Sequence, residues 1–151
     1  MALTNGAVDV AQIETTTNKV NYFVVDFAAG AQTSFSWQFA LEDYNAGTFN
    51  AIPFWTTDSA SLNDVEWAFD GLFYSDGDPM DSVFGTAVNV VDTNTGSKQM
   101  NNGALSGAIT LAGVAAKRKM IIFRASRVGT GLDTLAATAR LVGVLFLFTK
   151  G

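Results

Sequence analysis

The side chains with the most obvious chemical capacity are acidic. Asp76, Asp78 and Asp81 lie in the stretch Ser75-Asp76-Gly77-Asp78-Pro79-Met80-Asp81, shortly after Asp70. Carboxylates at alternate positions around a glycine suit a hard cation such as Ca²⁺, which takes several oxygens at about 2.3–2.6 Å. The full D-x-[DN]-x-[DN]-G order and its downstream glutamate are missing. A solvated turn is therefore expected, with Asp76, Asp78 and Asp81 as the candidate ligands if a metal binds at all. Paired carboxylates could also serve glycoside hydrolysis. Glu66 with Asp70, or Glu42 with Asp43, offer the residue types, but nothing distinguishes them from ordinary exposed acids. Lys117-Arg118-Lys119, with Arg124 and Arg127 beyond, could grip phosphates while Phe123 stacks a base. The plainer expectation is a charged loop that keeps the flank of the next apolar run soluble. Trp37, Trp55 and Trp67 could form a sugar-stacking platform. Trp37 and Trp67 fall on the apolar phase of their segments, which leaves Trp55 as the one open candidate.

Histidine and cysteine are both absent. That removes disulfides, the usual zinc sites, cysteine nucleophiles and every triad with imidazole as the base. There is no serine nucleophile elbow, phosphate-cradling glycine loop or dinucleotide fingerprint. The expectation is a protein without enzymatic activity and without a cofactor.

The elements that would position these residues are strands. Phe35, Trp37 and Phe39 alternate with Ser34, Ser36 and Gln38; Val65, Trp67 and Phe69 alternate with Glu66, Ala68 and Asp70. Phe23, Val25 and Phe27 repeat the period of two, as do Ile121 and Phe123. Turn signals separate the runs, among them Ala29-Gly30, Asn94-Thr95-Gly96 and Asn101-Asn102-Gly103. Leu41 to Tyr44 and Leu132 to Ala139 leave room for a helical turn each. The pattern predicts an all-β fold, an antiparallel β-sandwich or jelly roll. An extended N-terminal arm is expected over residues 1–12 and one sandwich domain over residues 13–151.

Composition agrees with one ordered domain. The chain has 151 residues, 48% of them hydrophobic and only 15% charged, against about 25% charged in an average soluble domain. The first residues carry no secretory pattern, and the longest apolar run, Leu141 to Phe148, is too short for a membrane helix of about 20 residues. A soluble protein made in a cytoplasm is expected, with neither membrane nor nucleic acid as partner. Net charge is −5, yet residues 1–92 carry thirteen acids and one base while residues 93–151 carry eight bases and one acid. Either strands of the two halves interleave and mix their charges, or the halves form complementary faces between copies of the chain, or the basic half meets nucleic acid.

From Trp55 onward the chain resembles small bacteriophage virion proteins, head cement and decoration proteins among them. The resemblance runs through Asp64-Val65-Glu66-Trp67, Ser75 to Asp81, Phe84-Gly85-Thr86-Ala87-Val88 and Ala112-Gly113. It continues through Phe123-Arg124-Ala125-Ser126-Arg127, Asp133-Thr134-Leu135-Ala136 and Ala139-Arg140-Leu141-Val142-Gly143-Val144. It implies a β-sandwich that forms a homo-oligomer, a trimer, on the capsid surface of a virion assembled in a bacterial host. It implies the major capsid protein as partner and no catalytic residues. A tail, baseplate or adaptor component is an alternative within the same resemblance; a carbohydrate-binding host-recognition module using Trp55 is an alternative outside it. In such relatives the last strand alternates, with apolar residues at the positions of Val142, Val144, Phe146 and Phe148. Here both faces are apolar, so Leu141, Leu145 and Leu147 are expected to meet another subunit or the shell.

Overall fold

In a computed structural model, described for residues 8–44 and 47–149, the chain is all β. Nine strands occur among the described residues: β1 (Asp9–Glu14), β2 (Asn21–Phe27), β3 (Thr33–Ala40), β4 (Asn50–Thr56), β5 (Asp64–Tyr74), β6 (Val88–Thr93), β7 (Asn101–Asn102), β8 (Met120–Arg127) and β9 (Ala139–Leu147). They form a five-stranded sheet, β1-β2-β9-β4-β7, and a four-stranded sheet, β3-β8-β5-β6. Strand β2 pairs with β9, β3 with β8, β4 with β7 and β5 with β6, all antiparallel. This nested pairing is a long two-stranded ribbon wound into two sheets, the jelly-roll order. Residues 9–12, expected in an extended arm, instead belong to β1 and pair with β2. The arm's first seven residues lie outside the described part. Neither Leu41–Tyr44 nor Leu132–Ala139 is helical.

The core forms because each alternating strand turns one phase inward. Trp67 meets Phe27 edge to face at 5.3 Å and Trp55 at 6.3 Å, and Phe123 meets Phe146 at 4.3 Å. Strand β5 is buried on both faces along nearly its whole length, because residues 75–87 fold back over its outer side. Gly85 permits that approach. Its amide donates to the Gly71 carbonyl, and a Cβ there would sit 2.5 Å from the Thr110 oxygen.

Arg127 falls on the inward phase of β8 with Ile121, Phe123 and Ala125, and it is fully buried. Its five N–H donors are all used: Nε and Nη2 on the two Asp133 oxygens, Nη1 on the Phe27 and Ala137 carbonyls, and Nη2 again on the Leu135 carbonyl. One side chain thus ties β8, β2 and the 128–138 loop together.

The oppositely charged halves interleave. Acids of the first half pair with bases of the second at Glu42–Arg118, Asp70–Arg124, Asp26–Arg140 and Asp58–Arg140.

Candidate interaction surfaces

The last strand does not alternate evenly, and the irregularity decides which leucines face outward. In β9, Leu141 lies opposite Trp55 of β4, whereas Gly143 lies opposite Phe54, so Val142 is an extra residue with no counterpart. A β-bulge of this kind shifts the phase of everything beyond it. Before the bulge, Ala139 and Leu141 point into the core; after it, Val144, Phe146 and Phe148 do. Leu141 is 1% exposed and so belongs to its own domain's core, not to an interface as the resemblance to virion proteins implied. Val142 correspondingly drops out of the core set. Leu145 and Leu147 remain exposed, at 43% and 42%.

These two leucines have apolar company. Leu145 pairs with Ile52, and the next outward residue of β4, Phe54, lies opposite Gly143; both β4 side chains are half-buried. A Cβ placed on Gly143 would meet nothing within 4 Å, so the sheet is uncovered at that point. The outer face of β4 and β9 therefore carries a continuous apolar strip.

The opposite side of the sandwich holds a cleft of about 620 Å³ on the four-stranded sheet, lined by polar and apolar groups and walled by residues 81–85. Asp70 and Arg124 are directly opposed on β5 and β8, and form a two-pronged ion pair with Nε on Oδ1 at 2.8 Å and Nη2 on Oδ2. The guanidinium also lies 3.9 Å from the Phe84 ring centre, a cation–π contact. Glu66 accepts from the Asn89 amide at 2.8 Å. Glu66 and Asp70 share this face, but four residues of strand separate their Cα atoms by about 13 Å. Each acid already has its own partner, Asn89 for Glu66 and Arg124 for Asp70, so neither carboxylate is free to act as the acid or base of a glycosidase pair. Glu42 is held by Arg118, whose hydrogen bonds keep its carboxyl below the usual range.

The remaining candidates are structural. Asp78 accepts the Ser75 amide at 2.7 Å and returns its own N–H to the Ser75 carbonyl, closing a turn with Gly77 at φ +86°. Asp76, Asp78 and Asp81 are exposed, and no group of three acids placed to hold a metal occurs among the described residues. The basic run is divided. Arg118 binds Glu42, Lys119 binds the Ser75 hydroxyl and the Val114 carbonyl, and Arg124 and Arg127 are consumed by Asp70 and Asp133. Trp55, the open candidate for sugar stacking, is 0% exposed and donates its Nε1–H to Asp92 at 2.6 Å.

Asp92 was not singled out by spacing. Its signal lies in β6, where an acid follows directly on Val90 and Val91. Burial is the largest influence on its carboxyl and raises its pKa above the usual aspartate value of 3.8, with the Trp55 bond opposing. A raised folded-state pKa means that ionisation costs more in the folded chain than in the unfolded one. Its contribution to stability is greatest below 3.8 and falls as pH rises through the folded value. Asp92→Asn keeps an acceptor for Trp55 and abolishes that fall. In urea titrations, the stability of Asp92→Asn relative to wild type should grow from pH 3 to pH 7; a difference independent of pH would refute this assignment.

No known family model matches the chain, and no curated protein matches it.

Proposed function

We propose that this protein is a non-enzymatic structural component of a bacteriophage virion, a decoration or cement protein that joins other copies of itself and bridges major capsid subunits on the head surface. The observation that carries the reading is the apolar strip of Leu145, Leu147, Ile52 and Phe54 on the open face of the jelly roll. Jelly rolls recur in viral capsid domains, a fold-level analogy that adds to the sequence resemblance without assigning a role. Covering the exposed part of each leucine contributes about 1 kcal/mol, a modest amount that repetition around a shell multiplies. The mechanism is mechanical: apolar contact along this strip holds neighbouring subunits against internal pressure.

Two measurements test it. On a stained gel of intact virions the band should stand in proportion to the major capsid protein, hundreds of copies per particle. A tail or adaptor component would instead appear at a few to a few tens of copies, and absence from virions ends the reading altogether. Leu145→Glu with Leu147→Glu should retain a β-type circular dichroism spectrum and the parent melting temperature within a few degrees, while binding to shells lacking the protein is lost. Undiminished shell binding would place the contact elsewhere.

A further inference from the structure

Four strands end the two sheets, and three of them carry a device that discourages pairing with another chain. Strand β7 is only two residues long. Strand β1 has an acid at each end, Asp9 and Glu14. Strand β6 carries Asp92, turned toward Trp55. Strand β3 has none. Its eight residues, Thr-Ser-Phe-Ser-Trp-Gln-Phe-Ala, contain no charge, proline or glycine, and they pair with β8 without a register shift. Among the described residues, no backbone hydrogen bond reaches β3 from any segment other than β8.

A second feature lies alongside. Phe35 and Trp37, facing inward from β3, are only half-buried and line an apolar notch of about 180 Å³ with Val10 and Phe23 of the other sheet. Val10 is 63% exposed and Phe23 67%. The sandwich is thus open along the side where its unprotected edge runs.

We propose that β3 is a pairing edge for a second copy of this chain, joined antiparallel about a two-fold axis through Trp37. The sequence of β3 is complementary to itself in that register. Trp37 faces Trp37 of the other copy, Phe35 faces Phe39, Ser36 faces Gln38 and Ser34 faces Ala40, so aromatic meets aromatic on the inner face and small or polar meets small or polar outside. Self-pairing brings no like charges together, because β3 has none and Arg124 beside Ser36 is neutralised by Asp70. At β1 the same operation would oppose acids. The two four-stranded sheets become one sheet of eight, and the aromatic notches of both copies close. This deepens the self-association in the proposed function and is independent of where in a virion the protein sits.

The test uses the full-length chain. Native mass spectrometry or light scattering over a concentration series should give a dimer. Ser36→Glu with Gln38→Glu places two opposed acid pairs across the axis and should raise the dissociation constant more than about 100-fold, leaving a folded monomer. Ser36→Lys with Gln38→Lys should do the same, and an equimolar mixture of the two variants should recover a heterodimer. Should either variant fail to fold, hydrogen exchange on the wild type decides: β3 amides should slow as concentration rises. A wild-type monomer or trimer, a Glu variant that dimerises like its parent, or concentration-independent exchange in β3 overturns the proposal. None of these outcomes alters the virion gel, so the two readings fail separately.

Discussion

Asp133→Ala should lower stability by about 3–5 kcal/mol and the melting temperature by about 6–20 °C. Arg127 and Asp133 are 0% and 1% exposed at their side chains, so removing the acid strands a guanidinium that no water reaches. Attraction between the pair is not the main issue, since desolvation offsets much of it. The cost comes from the orphaned charge, and from Nε and Nη2 losing both carboxylate acceptors. Replacing Arg127 by methionine does not escape the penalty, because the carbonyls of Phe27, Leu135 and Ala137 then lose their donor. The loss should be the same at low and high salt, as a pair sealed from solvent is barely screened. A drop under about 1 kcal/mol, read from urea unfolding, would mean that water enters this corner.

Leu141→Glu and Leu145→Glu should behave oppositely although the residues share a phase by number. Leu141 is sealed in the core, so the glutamate forfeits about 1.5–3 kcal/mol of burial and adds an unpaired buried charge. The sum, above about 5 kcal/mol, is enough to unfold many domains of this size. Leu145→Glu stands on the open face and should change stability by about 1 kcal/mol or less. Circular dichroism melts of the two variants side by side decide the point. Equal stability would mean that β9 alternates without its bulge.

Periodicity made the strands legible because burial of one face forces it; Phe35, Trp37 and Phe39 could hardly read otherwise. A bulge has no such signature. Val142 is one more apolar residue in an apolar run, and only its mispairing with β4 shows that the phase turns there. Trp55 was ambiguous for a related reason: its neighbours Pro53 and Phe54 are apolar too, so period two cannot separate inside from outside. Arg127 was readable in principle, sitting on the same odd-numbered phase as Ile121 and Phe123. Grouping it with the basic run hid that, since a charge is normally assigned to the surface. The Asp70–Arg124 cleft joins residues 54 apart in sequence, and no local spacing announces such a meeting.

The position of β9 also sets an order of events during synthesis. It is the last described strand, yet it lies between β2 and β4 and supplies the bonds that join them. Until residues 139–147 have left the ribosome, the earlier strands of that sheet are two fragments, each with an open inner margin. A nascent chain in that state displays unpaired strands and the aromatic interior to its neighbours, the condition in which β-rich intermediates stick to one another. Closure depends on pairing residue 25 with residue 141, a contact of long sequence separation that topology makes slow to find. Folded yield should therefore depend on how long that open state lasts, and so on translation rate, temperature and chaperone supply.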